Sequence, residues 1–360
     1  MKSKQAANTF LVPRFVGRSE ADMTARGKEQ AEQLELFRET LTRQAKVQVL
    51  AMLALSNPKR LDSPNDAKIA DIAEAMGYDR SPNQEGKMAF PPWVYQSIED
   101  TGLKLRRKSF EVFVRSPDGY TKDGRRKWKE GLVELSILQE FGFHYEDEEG
   151  NPINLDEIAR EKLIEYKAAG RALYAIPMTD EKGRFILNKD GSPRRKLANG
   201  VTWTFASRFA KLAEHRETAW IFYREAVQIL RRYLTKPASF DLMYMTLFWK
   251  HDNLIEMGYG KLVAHLGIRS KDSKQVQAAI DAAFQDARTE NIIDKPATVR
   301  QPGYYKPTKR GKPRRNDLVY QWQRAGKWKA GKDLIEISAD QLEPYNEKDA
   351  KDGKTEKPKA

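Results

Sequence analysis

The sequence predicts an α+β fold in which one order of elements, three helical segments followed by a β-hairpin, occurs twice. Apolar residues recur every three to four positions in the first part of each half, which is typical of amphipathic helices. After the third such segment they alternate with polar residues, which is typical of strands. The chain has 360 residues and is 40% hydrophobic, enough for about two domains with apolar cores.

The first three helices follow from this periodicity and from residues that start or stop helices. Apolar spacing predicts a helix over 41–55 that ends before Pro58. A second helix is predicted over 66–78, with Gly77 as its left-handed C-cap. A third begins at Pro91-Pro92, because Pro is favoured in the first turn of a helix. Its apolar face carries Trp93, Val94, Ile98 and Leu105.

A hairpin is predicted after the third helix. Residues 110–114 alternate at period two, a glycine-containing basic loop spans 116–131, and a second strand is predicted over 132–145. Helix, helix-turn-helix and hairpin, in this order, are the elements of a winged helix.

The remainder of the first half is expected to enlarge this unit. Its predicted elements are a helical linking segment over 147–171, β-like runs at 173–176, 184–187 and 201–205, and a helix over 218–234. The β-like runs are expected to expand the first sheet. We place the domain boundary just after the last helix, near Lys236-Pro237.

The same order then begins again. The second unit has predicted helices over 240–249, 260–267 and 273–291 and strands at 292–293, 299 and 318–322. Gly267 ends its second helix and Ser273 is the expected N-cap of its third.

The fold class we predict is therefore α+β, with two tandem winged-helix domains, an expanded first β-sheet and disordered termini. The predicted divisions are a flexible N-terminal segment at 1–28, a first winged-helix domain at 29–235, a second at 236–332 and a flexible charged tail at 333–360.

The charge balance indicates a polyanionic partner. The chain has 64 Lys and Arg against 51 Asp and Glu, a formal net charge of +13, and nucleic acid is the commonest soluble polyanion. The sequence has no Cys, which excludes disulfides, thiolate catalysis and Cys-type metal sites. No signal peptide or apolar run of about 18 residues is found, so we expect a cytoplasmic protein.

The third helix of the second unit is a candidate for reading bases. Val276, Ile280 and Phe284 share one face and are expected in the core, which leaves Ser273, Lys274 and Gln277 pointing outward. Such a face fits the major groove, where Gln can pair with adenine and Lys can reach guanine or phosphate. The alternative is an ordinary solvated helix face.

A basic segment follows this helix. Eleven Lys and Arg lie between 299 and 332, against a single acid, Asp317. Such a loop can follow the phosphate backbone; the alternative is a disordered loop. The predicted DNA-binding residues are Lys271, Ser273, Lys274, Gln277, Arg300, Tyr304, Lys306, Lys309, Arg310, Lys312, Arg314 and Arg315 in the second unit and Arg106, Arg107, Lys108, Lys122, Arg125, Arg126 and Lys127 in the first.

Catalytic patterns are sparse. The four His residues stand apart in the sequence, without a His-x-His pair or metal-ligand spacing. We therefore expect a protein that is not an enzyme and that uses no metal or cofactor.

Three segments resemble the theta-type plasmid replication initiators of the tandem winged-helix class, in particular the IncP-type broad-host-range family. These are the strand LVELSILQEF from Leu132, the helix over 219–234 leading into SFDLMYMTLFW, and the pentapeptide QLELF. In the pentapeptide, Gln33, Leu34, Leu36 and Phe37 match the motif by which such initiators resemble sliding-clamp-binding proteins. The alternative is that Leu34 and Phe37 begin the apolar stripe of the first helix.

The resemblance implies an initiator of plasmid DNA replication located in the bacterial cytoplasm with its plasmid. Such a protein binds repeated double-stranded origin sites (iterons) and recruits host DnaA, the replicative helicase and the sliding clamp, and it forms a homodimer through the first winged-helix domain. A winged-helix transcriptional repressor bound to an operator is the alternative. Repeated sites in one direction would support initiation, and a single palindrome would support repression.

Overall fold

The computed structural model describes residues 9–13, 41–83, 86–107, 109–120, 126–146, 174–178, 184–214, 219–248, 254–270, 272–294, 297–300 and 318–328. Over these residues the chain is α+β, with eight α-helices and small antiparallel sheets, as the sequence predicts. None of the helices described is long and apolar enough to span a membrane.

The elements of the first half are β1 (Thr9–Pro13), α1 (Arg43–Leu55), β2 (Asn65–Lys68), α2 (Ile69–Ala75), β3 (Ser81–Pro82), β4 (Met88–Ala89), α3 (Pro92–Arg107), β5 (Ser109–Tyr120), β6 (Arg126–Ser136), β7 (Leu138–His144), β8 (Ala175–Pro177), β9 (Arg195–Leu197), β10 (Gly200–Phe205), α4 (Ser207–Glu214), β11 (Ala219–Tyr223) and α5 (Arg224–Arg232). Those of the second half are α6 (Pro237–Leu247), β12 (Ile255–Gly258), α7 (Tyr259–His265), α8 (Ser273–Thr289), β13 (Ala297–Arg300), β14 (Leu318–Trp322) and a 3₁₀ turn at Gly326–Trp328.

Each half contains one three-stranded antiparallel sheet of the same topology. In the first, the strand order is β2-β10-β7; in the second, it is β12-β14-β13. In both sheets the strand before the second helix, β2 or β12, pairs with the strand that comes last in sequence, β10 or β14. That last strand lies in the centre of the sheet. The other described strands pair two by two, as β1-β11, β3-β4, β5-β6 and β8-β9.

A tryptophan in each central strand binds the first helix of its own half. The indole N–H of Trp203 donates to Ser56 Oγ at 3.0 Å, and that of Trp322 donates to Thr246 Oγ1 at 2.9 Å. Trp203 pairs across the sheet with Asn65, as Trp322 does with Ile255. Ser56 and Thr246, and likewise Asn65 and Ile255, are separated by 190 positions. The two halves therefore repeat a buried contact as well as an order of elements.

A glycine ends the second helix in each half at the same spacing. Gly77 and Gly267 are also 190 positions apart, and their φ angles are +79° and +60°. These values confirm the predicted left-handed caps. At Gly77 a Cβ would also lie 3.0 Å from the Cα of Gln228 in α5, so both conformation and space require glycine there.

We predict that removing either hydroxyl acceptor destabilises the protein. Thr246→Val and Ser56→Ala each leave a buried indole N–H without an acceptor, which should cost about 1–3 kcal/mol in the free energy of unfolding, measured by urea denaturation. Thr289→Val is the matched control, because that hydroxyl is exposed and bonds only its own helix, to Gln285 O. Equal losses for Thr246→Val and Thr289→Val would contradict the prediction.

Two predicted helices start later than expected. Residues 66–68, predicted as helix, belong to β2, which pairs with β10. The segment Ala219–Tyr223, also predicted as helix, forms β11 and pairs with Thr9–Pro13. That pairing also orders part of the N-terminal segment predicted to be flexible. In both cases a partner strand distant in sequence overrides local helix propensity.

The predicted first hairpin forms, but it does not belong to the three-stranded sheet. Strands β5 and β6 pair with each other from Ser109↔Ser136 to Tyr120↔Arg126, so the predicted loop over 116–131 is largely strand. The sheet instead uses β7 and β10. The predicted strand over 201–205 is therefore β10, the central strand of the sheet. The sequence predicted that β5 and β6 would be the hairpin of this unit, but β7 and β10 have that position in the sheet. The predicted helical segment over 147–171 lies outside the described residues.

One continuous apolar core joins the two halves across the predicted boundary at Lys236-Pro237. The rings of Phe222 and Phe248 stack at 4.5 Å. Arg43 of α1 forms an ion pair with Asp241 of α6 at 2.5 Å. At the end of α8, Glu290 accepts a 2.9 Å hydrogen bond from the hydroxyl of Tyr233. Two causes raise the pKa of Tyr233 to about 12: the larger is burial, and the next is the hydrogen bond to the Glu290 carboxylate.

Candidate nucleic-acid interface

The third helix of each half is buried along the same face. Val94, Ile98 and Leu105 of α3 are buried, and so are Val276, Ile280 and Ala287 of α8. Each pair of corresponding residues is 182 positions apart. The predicted apolar faces are confirmed except at Trp93, whose side chain is 54% exposed and contacts the ring of Tyr78 edge-on at 5.4 Å.

The N-terminus of α8 is ordered by its own side chains. Asp272 is the N-cap and accepts from the backbone N–H of Lys274 at 2.7 Å; the prediction that Ser273 caps this helix is therefore wrong. Ser270 Oγ accepts from the Asp272 N–H and donates to Gln275 Oε1 at 2.9 Å. Asp272 lies one residue before the helix, in extended backbone. Its carboxylate can therefore accept a hydrogen bond from a first-turn backbone N–H that has no partner within the helix.

The outer face of α8 is open to solvent. Ser273, Lys274, Ala278 and Asp281 are exposed, and Gln277 is half-buried beside them. These side chains are short or polar, as a helix that enters a major groove requires. DNA contact by Ser273, Lys274 and Gln277 stays a prediction, but all three lie on the accessible part of this helix.

The corresponding side of α3 is covered in part by the chain itself: Pro92 and Gln96 are exposed, as Lys274 and Ala278 are, but Glu99 is buried. The residues 182 positions before Gln277 and Asp281 are Tyr95 and Glu99. Glu99 is 7% exposed and accepts from the backbone N–H of Tyr174 at 2.8 Å. The rings of Tyr95 and Tyr174 lie 6.1 Å apart, and burial raises the pKa of Tyr95. Tyr174, in the connection between β7 and β10, therefore covers the Glu99 end of this side of α3.

The predicted basic loop of the second unit connects two paired strands. Arg300 ends β13 and pairs with Leu318, the first residue of β14. The loop therefore connects the paired ends of two neighbouring antiparallel strands, as the wing of a winged helix does. Tyr304, Lys306, Lys309, Arg310, Lys312, Arg314 and Arg315 belong to this loop and lie outside the described residues, as does Lys271.

The basic residues predicted in the first unit fall into two groups along the chain, one before β5 and one around the start of β6. Arg106 and Arg107 are exposed at the C-terminal end of α3, and Arg126 and Lys127 begin β6. Lys108, Lys122 and Arg125 lie outside the described residues, and so do Gln33, Leu34, Leu36 and Phe37 of the clamp motif.

One contact of the site was missed by the sequence analysis. The hydroxyl of Tyr320 in β14 donates to Gln277 Oε1 at 3.2 Å. The alternation of LVYQW could have placed Tyr320 and Trp322 on the same inner face of the strand. It could not have shown that this face lies against α8.

No protein-family model and no curated protein sequence matches this chain. Among solved structures, the chain is similar to a crystal structure of the RctB domains 2-3, with 12% identity and a TM-score of 0.37 over 79% of this chain and 82% of that one. It is similar to selenomethionine derivatives of domain 2 and domain 3 of RctB at 13% identity, with a TM-score of 0.37 and the same coverage.

Proposed function

We propose that this chain is an initiator of plasmid DNA replication that binds repeated double-stranded origin sites sequence-specifically. The observation that carries the proposal is the open outer face of α8, next to a hairpin whose connecting loop is strongly basic. A helix of this kind reads base edges, while a basic loop holds the phosphates on either side.

We propose further that each half is a winged-helix domain. The support is the order of helix, strand, helix, helix and two further strands, which the first half shares once β3-β4, β5-β6 and β8-β9 are set aside. The strand order in the two sheets is also the same. The repeated spacings of 190 and 182 positions extend this likeness to individual buried residues. The two domains would have different tasks, since Asp281 of α8 is exposed whereas Glu99, at the corresponding place on α3, is buried against Tyr174.

The initiator function, as distinct from DNA binding alone, rests on the resemblance to the IncP-type family. Under this proposal the protein recruits DnaA, the replicative helicase and, through Gln33, Leu34, Leu36 and Phe37, the sliding clamp. A homodimer would form through the first domain. The proposal involves no catalysis, so supercoiled DNA incubated with the protein and Mg²⁺ should not be nicked.

Footprinting on the DNA that flanks its own gene tests the proposal. We expect several protected segments of similar sequence in the same orientation. One protected palindrome would support a transcriptional repressor instead. Uniform protection without sequence preference would overturn sequence-specific binding altogether.

Gln277→Ala should weaken binding at one base position by about 1–3 kcal/mol and leave the other positions unchanged. Arg314→Ala is the comparison, because a phosphate contact should weaken binding to all sequences alike and lower the salt slope by about 1. Gel shifts with single-base variants of the site, repeated at several salt concentrations, measure both effects. If Gln277→Ala and Arg314→Ala changed specificity equally, the helix would not be the element that reads bases and the loop would not be the one that binds phosphates.

Replacing Leu36 and Phe37 by alanine should abolish capture of the sliding clamp in a pull-down and leave origin binding intact. The two apolar side chains are the part of the motif that a hydrophobic pocket would hold. Loss of folded protein, seen by circular dichroism, would show that these residues begin the first helix instead.

A further inference from the structure

Two hydrogen bonds hold the side-chain amide of Gln277 in one orientation. Its Nε2 donates to Asp281 Oδ1 at 2.9 Å, and its Oε1 accepts from the Tyr320 hydroxyl at 3.2 Å. An ionised carboxylate only accepts hydrogen bonds, so Asp281 must face the NH₂ group of the amide. The positions of the amide oxygen and nitrogen are therefore determined by chemistry as well as by geometry.

These two bonds use only half of the hydrogen-bonding groups of the Gln277 amide. The NH₂ group has two donors and the carbonyl oxygen has two lone pairs, and each partner uses one. One N–H and one lone pair remain, and they are the pair of groups that an adenine requires at N7 and N6 in the major groove. By this count of groups, a bond to a base does not require Gln277 to give up either internal bond.

The partner on the sheet side is rigid. The side chain of Tyr320 is 4% exposed, and its ring stacks on Phe284 of α8 with an interplanar angle of 9° and a centroid distance of 5.8 Å. Met257 and Thr298 pair with Tyr320 from the two neighbouring strands. The hydroxyl is therefore held by the core, whereas Asp281 is exposed on the same helix as Gln277.

We infer that Tyr320 and Asp281 are positioning residues that orient Gln277 to read adenine. The inference rests on the proposed function and deepens it, since it identifies the base and the residues that determine the preference. A free glutamine loses rotamer entropy when it binds a base. Here the two internal bonds restrict the side chain before DNA arrives, which favours the correct base over others.

Tyr320→Phe tests the inference, because it removes the hydroxyl and keeps the ring. The probe is a duplex spanning one footprinted repeat, with each base pair replaced in turn. We expect the preference for adenine at the position read by Gln277 to fall by roughly 2- to 10-fold, with binding to unrelated DNA and the salt slope unchanged. Gln277→Ala combined with Tyr320→Phe should lose no more preference than Gln277→Ala alone.

Tyr233→Phe is the matched control, since it removes a hydroxyl bonded to Glu290 just beyond the other end of α8. It should leave the adenine preference unchanged. Asp281→Ala is a second variant at an exposed position, and it should reduce the same preference even if Tyr320→Phe does not fold. An unchanged preference in Asp281→Ala or in folded Tyr320→Phe, alongside a loss in Gln277→Ala, would overturn the inference alone. A wild-type protein without sequence preference would overturn the proposed function as well.

Discussion

Replacing Trp322 by alanine should lower the free energy of unfolding by about 3–5 kcal/mol. The side chain is 0% exposed and contacts the ring of Phe284 edge-on at 5.3 Å. Its indole N–H also donates to Thr246. The substitution therefore removes the central contact between β14, α8 and α6 and leaves a large cavity. Urea denaturation followed by circular dichroism would measure the loss.

Trp93→Ala is the control for this substitution. The chemical change is the same, but the side chain of Trp93 is 54% exposed and has an edge-on contact with Tyr78. The expected cost is about 1 kcal/mol or less. Similar costs for the two variants would mean that Trp322 is not part of a tightly packed core.

Replacing Lys306, Lys309, Arg310, Lys312, Arg314 and Arg315 together by alanine should strongly reduce the salt dependence of DNA binding. Each phosphate contact contributes about 0.9 to the slope of log affinity against log salt, so six contacts contribute about 5. Between about 50 and 200 mM salt the wild-type protein should therefore lose roughly 10³-fold more affinity than the variant. Fluorescence anisotropy with the repeat at several salt concentrations measures the two slopes.

A variant that removes six other cations separates this effect from a change in net charge. Six exposed cations of the first unit that we do not expect to contact DNA are Lys59, Arg60, Lys189, Arg194, Arg208 and Lys211. Their replacement should change the slope by much less, because screening weakens distant charges beyond about 10 Å. If both sets lowered the slope equally, the loop between β13 and β14 would not be the phosphate-binding element.

Local sequence signals predicted the elements they act on directly. The first helix was predicted over 41–55 and is found at Arg43–Leu55. Pro92 begins α3, and Gly77 and Gly267 have the left-handed conformation expected of caps. Each of these signals works within one helical turn, so no distant partner is needed to interpret it.

The errors lie where a distant strand decides the conformation. Ala219–Tyr223 has the apolar spacing of a helix but is a strand, because Thr9–Pro13 pairs with it from the far end of the chain. The same holds for Asn65–Lys68, whose partner is β10. Trp93 was placed on an apolar face, and only the packing of α3 shows that its side chain is half exposed.

By itself the sequence determined the three helices of each predicted winged-helix unit, though not α4, and the buried stripe of α8. It therefore also determined which side chains of α8 face outward, because a period of 3.6 residues relates these positions locally. Only the tertiary structure decided that Glu99 of α3 is buried against Tyr174 while Asp281, at the corresponding place on α8, stays exposed. It alone also brought the hydroxyl of Tyr320 to Gln277, 43 positions earlier in the chain. Both outcomes depend on contacts between segments far apart in sequence, and no local pattern encodes such contacts.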